Sequence, residues 1–147
     1  MKCAKTLEIG CGKHRHPLAD VAVDIDKDSS CDLVADAHFL PFPHKTFSKV
    51  IMYETLEHVE NASKVLREIN NVLTDKGKVE FSIPNAMYWR CILRWIVKGK
   101  ISASPNHINC WRLSEIEALL HKTGFLIKSI RFIDTHFHPS SFFAVFA

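Results

Sequence analysis

Leu7-Glu8-Ile9-Gly10-Cys11-Gly12 is an apolar run closing on Gly-x-Gly, and Val21-Ala22-Val23-Asp24 is a second apolar run closing on a carboxylate. The first pattern is that of a buried strand turning sharply, with backbone left bare where a ligand can approach. The second sets an acid at the same carboxyl edge, twelve residues after Gly12. At that edge of a doubly wound sheet nucleotides bind, and an acid there commonly holds ribose hydroxyls. The chain has five glycines, and two of them sit in this turn. The chemistry implied is recognition of a nucleoside-bearing ligand, although two glycines alone do not choose which one.

A second set of reactive side chains follows the apolar run Val50-Ile51-Met52-Tyr53: Glu54, Glu57 and His58. His107 stands further on, in Asn106-His107-Ile108-Asn109-Cys110-Trp111. An imidazole or carboxylate there can act as a general base on a poorly ionised acceptor. Each also has a plain reading. A histidine at a helix start often bonds locally, and a glutamate near a helix N-terminus is stabilising whatever else it does. His58 and His107 are the catalytic candidates. Metal ligation is not expected, because the close pairs among nine histidines, His14-x-His16 and His136-x-His138, have no cysteine at zinc spacing.

The elements that must hold these residues alternate between strand and helix, the mark of an α/β sheet. Strands are expected at 5–9, 20–24, 32–36, 50–53, 78–83, 125–132 and 142–146. Val65, Leu66, Ile69, Val72 and Leu73 make one apolar face of a helix over 61–73, with Asp75-Lys76-Gly77 as the turn that ends it. Ser114-x-x-Glu117 reads as a capping box opening a second helix that stops at Gly124. Between the first two strands, Lys13-His14-Arg15-His16-Pro17-Leu18 is too short and Pro-limited for a full crossover helix. That trimming predicts an uncovered apolar face on strands one and two.

The bulk numbers fit a single domain over 1–147: 147 residues, 47% apolar, 24% charged, formal charge +3. So mild a charge does not argue for nucleic acid. No window nears the roughly 20 apolar residues of a membrane span, and no signal-peptide core precedes the first strand. Five cysteines (3, 11, 31, 91, 110) form no Cys-x-x-Cys pair, which fits reduced thiols and a cytoplasmic location. Residues 85–98 carry Arg90, Arg94 and Lys98 as a basic stripe among Met87, Tyr88, Trp89, Ile92, Leu93, Trp95, Ile96 and Val97. A lid, a core helix and a surface meeting membrane lipid or an apolar substrate all remain open for it.

Taken in order, Gly10-x-Gly12, Asp24, Asp36-Ala37, Leu40-Pro41-Phe42, Leu56-Glu57-His58 and Lys122-Thr123-Gly124-Phe125 resemble the class I S-adenosylmethionine-dependent methyltransferases, in their compact type 11-like branch. The resemblance implies a Rossmann-like, doubly wound seven-stranded sheet, mostly parallel with an antiparallel last strand, its first crossover helix shortened. It implies S-adenosyl-L-methionine as cofactor. Glu8, Gly10, Cys11 and Gly12 would line the methionine part, Asp24 the ribose hydroxyls and Ile25 the adenine. Asp36 and Ala37 would sit at the adenine edge, and the backbone of Met52 and Tyr53 would face the methionine amino group. Departures are His14, where many members carry a third glycine, and Ser48, where an aspartate is usual.

The expected activity is methyl transfer to a small-molecule acceptor, with a lipid- or sugar-linked one open. The competing reading is a non-catalytic methyltransferase-like subunit working through a partner; a second copy of the chain would cover the same exposed face. A nicotinamide oxidoreductase fits worst, because the dinucleotide fingerprint would need a glycine at Arg15 and a later acid.

Overall fold

The computed structural model describes residues 5–84, 96, 97, 99, 107–135 and 138–146. The alternating apolar runs form one sheet with strands β1 (Thr6–Ile9), β2 (Val21–Asp24), β3 (Leu33–Val34), β4 (Phe47–Tyr53), β5 (Leu73–Pro84), β6 (Ile127–Thr135) and β7 (His138–Phe146). Their order across the sheet is β3-β2-β1-β4-β5-β7-β6. β1 to β5 pair in parallel, and β7 runs antiparallel to both of its neighbours. β1 therefore lies between β2 and β4, so the chain leaves it in one direction and returns on its other side. That is the topological switch point, where the carboxyl ends open a crevice. Residues 85–95 and Lys98 lie outside the described residues, and with them the basic stripe at Arg90, Arg94 and Lys98.

The helices packed on the sheet are α1 (Ala62–Val72) and α2 (Leu113–Lys122). In α1, Val65, Leu66, Ile69 and Val72 are buried along one face, as their spacing predicts. Asn61 caps it, its side chain accepting from the Lys64 backbone N–H at 3.0 Å. The helix does not run on to a turn at Asp75–Gly77. Leu73 is already extended and pairs with Phe47, after which Lys78 pairs with Lys49, so residues 74–77 bulge from within β5. Burying Leu73 against β4 captures the chain before the glycine is reached. The second helix likewise starts earlier than the Ser114 box predicts. Leu113 is its first residue, and the Glu115 carboxylate accepts from the Arg112 backbone N–H at 2.9 Å, so the third helical position belongs to Glu115 and not to Glu117.

Both helices cover the same face of the sheet. Leu7, Ile9, Val50, Met52, Val79, Phe81 and Ile83 join Leu66, Ile69, Ile116, Leu120 and Phe125 in one buried cluster. Asn70 of α1 donates to the Thr123 carbonyl at the end of α2, tying the helices together. The last strands also differ from expectation at their connection: β7 begins at His138, so His138 and Pro139 are in the strand and not in the loop.

No helix forms between β1 and β2. The expected uncovered apolar face is nevertheless absent from β1 and β2. Glu8 and Ala22, which point away from the helices, are buried. The short 13–20 segment is held across them by Arg15, which bonds Asp32 at 2.7 Å and the carbonyls of Ala19 and Asp20. The His16 backbone N–H donates to the Glu8 carboxylate at 2.8 Å, and the His16 ring meets Tyr53 edge-on. A guanidinium with several donors thus does the fastening that a crossover helix would do by packing.

Candidate functional site

The site grows out of the ends of β1, β2 and β4. Gly10 follows β1 with φ +76, and a Cβ there would collide with the Thr55 side chain, so only glycine fits against the turn after β4. Gly12 has φ +52 and open space where its Cβ would be. Its backbone N–H donates to the Asp24 carboxylate at 2.7 Å, and the Asp26 N–H donates to the other oxygen at 2.9 Å. The two motifs predicted to face one another across β1 and β2 are therefore joined by a direct hydrogen bond. Each Asp24 oxygen keeps a lone pair for a further donor. Ile25 beside it is 73% exposed.

The other predicted residues take distinct places. Asp36 accepts from the His38 backbone N–H at 2.8 Å, which holds its carboxyl below the usual range despite partial desolvation. The His38 ring closes the loop, with Nδ1 2.6 Å from Asp36 and Nε2 accepting from the Asn61 N–H, an arrangement that puts the ring proton on Nδ1. Ala37 is half-buried beside it. Cys11 is buried, and desolvation holds its thiol above the ordinary range, so its role is packing. The Met52 side chain is fully buried in the core, leaving its backbone as what it can offer a ligand. Tyr53 points to the opposite face and donates to Glu80 at 2.6 Å, with its phenol pushed up by burial and by that bond. Glu8 accepts from the trimmed crossover, as described above.

The segment after β4 departs most from expectation. His58 does not start a long helix. Leu56–His58 is a single 3-10 turn, separate from α1, and Glu57 is 0% exposed. Glu57 thus stands in the first turn of a very short 3-10 helix, buried and not solvated. Glu54, just before, has φ +46, a left-handed backbone costly for a residue with a Cβ and the kind of strain found at functional sites. Its carboxyl accepts from the Ser82 hydroxyl at 2.8 Å. Neither carboxylate oxygen of Glu57 finds a hydrogen-bond partner among the described residues. Burial above all, with the Glu54 charge adding to it, pushes the Glu57 carboxyl up to about 8.

His107 reaches this turn from fifty residues away along the chain. The Ile108 and Asn109 backbone N–H groups donate to the Glu57 carbonyl at 2.9 and 3.0 Å, and the Asn109 side chain donates to the Val59 carbonyl at 2.7 Å. The His58 and His107 rings meet edge to face with centroids 4.8 Å apart. The two histidines named separately from the sequence, and Glu57 with them, are one cluster. No sequence spacing signals it, because the third member arrives through backbone pairing of a distant loop.

Among the described residues, no helix is long and apolar enough to cross a membrane. A family profile described as a methyltransferase domain matches residues 3–130. An uncharacterized protein of Methanocaldococcus jannaschii is 34% identical over 113 residues, covering 68% of this chain. This chain spans 45% of the length of that relative. Among solved structures, a Thermotoga maritima protein described as a SAM-dependent methyltransferase and possible histamine N-methyltransferase aligns with a TM-score of 0.79 at 19% identity, over 99% of this chain and 82% of that one. A SAM-dependent methyltransferase from Archaeoglobus fulgidus aligns at 0.76 and 16% identity, over 98% and 86%. At such identities these structures speak for the fold.

Proposed function

This chain belongs to the methyltransferase-domain family, and from that premise we propose that it transfers a methyl group from S-adenosylmethionine to a small-molecule acceptor. The observation that carries the reading is the Gly12–Asp24 hydrogen bond. It holds a carboxylate beside a bare glycine turn at the switch point, with lone pairs left for two ribose hydroxyls. The residues fit the cofactor. Open space lies over Gly12, and Ile25 is an apolar side chain left uncovered where an adenine face would cover it. Glu8, Gly10, Cys11, Asp36, Ala37 and the backbone of Met52 and Tyr53 complete the proposed binding set.

When bound, the cofactor supplies a methyl group already activated on a sulfonium. The chain's own task is then to align the acceptor and exclude water. Asp24 orients the ribose, and the Gly10–Gly12 backbone lets the ligand lie close. Thr55 of the turn after β4 packs against Gly10 of that loop, and its hydroxyl is held within its own turn by donating to the Tyr53 carbonyl at 2.8 Å. In this reading the same turn, which carries Glu57 and His58 with His107 against them, would meet the acceptor. A lipid- or sugar-linked acceptor is supported by the apolar, aromatic sequence of residues 87–97.

Calorimetry tests the reading directly. S-adenosylmethionine and its demethylated product, S-adenosylhomocysteine, are expected to bind in the micromolar range. Asp24→Ala removes two charge-assisted hydrogen bonds and should weaken both by about a hundredfold or more. If folded protein binds neither ligand, the enzyme reading fails and a non-catalytic subunit takes its place.

A further inference from the structure

We propose that Glu57, His58 and His107 form a binding site for a single divalent ion of the zinc class. One ligand atom from each residue lies within 4.8 Å of the others. Two imidazoles and one carboxylate form a borderline donor set that suits zinc and its neighbours in the first transition row better than magnesium or calcium.

A second, independent observation is the state of Glu57. Its side chain is fully buried, both oxygens lack a partner among the described residues, and the carboxylate belongs to the cluster. Buried polar groups in folded proteins are satisfied nearly always, so a buried carboxyl whose oxygens meet no hydrogen-bond partner among the described residues, close to two imidazoles, points to a missing ligand. The geometry is also held in place. The loop carrying His107 is fastened to the Glu57 carbonyl through two backbone N–H groups and to Val59 through Asn109, so the two sides of the site are fixed by bonds that do not use the ligating atoms. His58 is exposed, which gives an ion a path in from solvent.

Ligands of a tetrahedral zinc site stand about 3.4 Å apart for metal–ligand distances of about 2.0–2.1 Å. The cluster therefore closes by little more than an ångström on binding, within reach of side-chain rotation. Three protein ligands leave a fourth position for a water or an acceptor oxygen, which the ion would polarise. In this arrangement His58 and His107 are ligands, and proton acceptance would fall to ion-bound water or hydroxide.

The test is a titration of chelator-stripped protein with Zn²⁺ by calorimetry, and with Co²⁺ by visible absorption, which reports coordination geometry. One ion per chain and a tetrahedral-type Co²⁺ spectrum are expected. His58→Ala, His107→Ala and Glu57→Gln should each weaken binding by about tenfold or more. His121→Ala, an exposed histidine on α2, should leave it unchanged. His58 is exposed, so its replacement leaves the core intact and keeps the test valid if Glu57→Gln fails to fold. Absence of stoichiometric binding, or binding indifferent to His58→Ala and His107→Ala, overturns the site. S-adenosylhomocysteine binding on the same samples keeps the two ideas apart. Metal binding without cofactor binding defeats the methyl-transfer reading alone, and the reverse defeats the metal site alone.

Discussion

The two faces of the sheet are built from the same strands and solve burial by opposite means. On one face Leu7, Ile9, Val50, Met52, Val79, Phe81 and Ile83 meet α1 and α2 in a cluster of apolar contacts. On the other, Glu8 and Tyr53 meet the short 13–20 loop, and Lys49, Tyr53 and Glu80 bond to one another beside them. Tyr53 donates to Glu80 at 2.6 Å, and the Lys49 ammonium lies 2.7 Å from the same carboxylate. Successive residues of a strand point to opposite faces, so neighbours such as Glu80 and Phe81 report on different physics one residue apart. Pairing sideways along the sheet satisfies these polar groups without a crossover helix. The trimmed crossover is thus compatible with a stable chain, and the supposed need for a partner to cover apolar surface on β1 and β2 falls away.

The helix-covered face depends most on Phe81. Phe81→Ala removes a fully buried ring from the helix-covered face and should cost about 3–5 kcal/mol, read by urea denaturation. A loss below about 1 kcal/mol would mean that this face is not the main core.

Two glutamates sharpen the contrast, because burial treats them oppositely. At Glu80 burial pushes the carboxyl up, but the hydrogen bonds from Lys49 and Tyr53 outweigh it and hold it below its ordinary value. At Glu57 burial dominates: its own backbone N–H offsets it only in part, the neighbouring Glu54 carboxyl adds to it, and the carboxyl rises from 4.5 to about 8. The signs follow. Glu57 is favoured neutral in the fold, so its contribution is fully present below pH 4.5 and is lost as pH rises through about 8. In chelator-treated protein, Glu57→Gln should therefore match the parent at low pH and gain on it towards pH 9, by an amount on the order of a few kcal/mol. Melting curves across that range check it, and a gain that is the same at every pH would refute the assignment.

Glu80→Gln should move the other way and by less. Its lowered pKa means the stabilisation is present above the unfolded value near 4.5 and is lost as pH falls through the folded one. The variant should lose about 1–3 kcal/mol at pH 7, with Lys49 and Tyr53 left short of a partner, and close the gap in acid. Denaturation at pH 7 and pH 3.5 separates this from a general packing defect, which would persist at both.

Much of this molecule was legible in its sequence because the signals are local. Val65, Leu66, Ile69 and Val72 share a helix face by spacing, and an apolar run before Gly10-x-Gly12 can only be a buried strand with a tight turn. Asp24 could be set opposite that turn because adjacent parallel strands end at one edge, and the Gly12–Asp24 hydrogen bond is the result. Boundaries were less legible. Leu73 leaves α1 early because β4 offers it a buried partner, and α2 is capped by Glu115 because the loop before it fixes where the helix begins.

The sheet, the glycine turn and the acid that faces it follow from the order of residues, since each rests on periodicity or on residues bound within one or two elements. The bonding of Glu8 to the crossover and of Tyr53 and Lys49 to Glu80 on the outer face came from the packing of strands and loops in space. The same packing joined Glu57 and His58 to His107, for the chain brings that loop back through the backbone bonds of Ile108 and Asn109 to the Glu57 carbonyl. Contacts between residues so far apart are set by how strands and loops pack in space, and no local spacing encodes them.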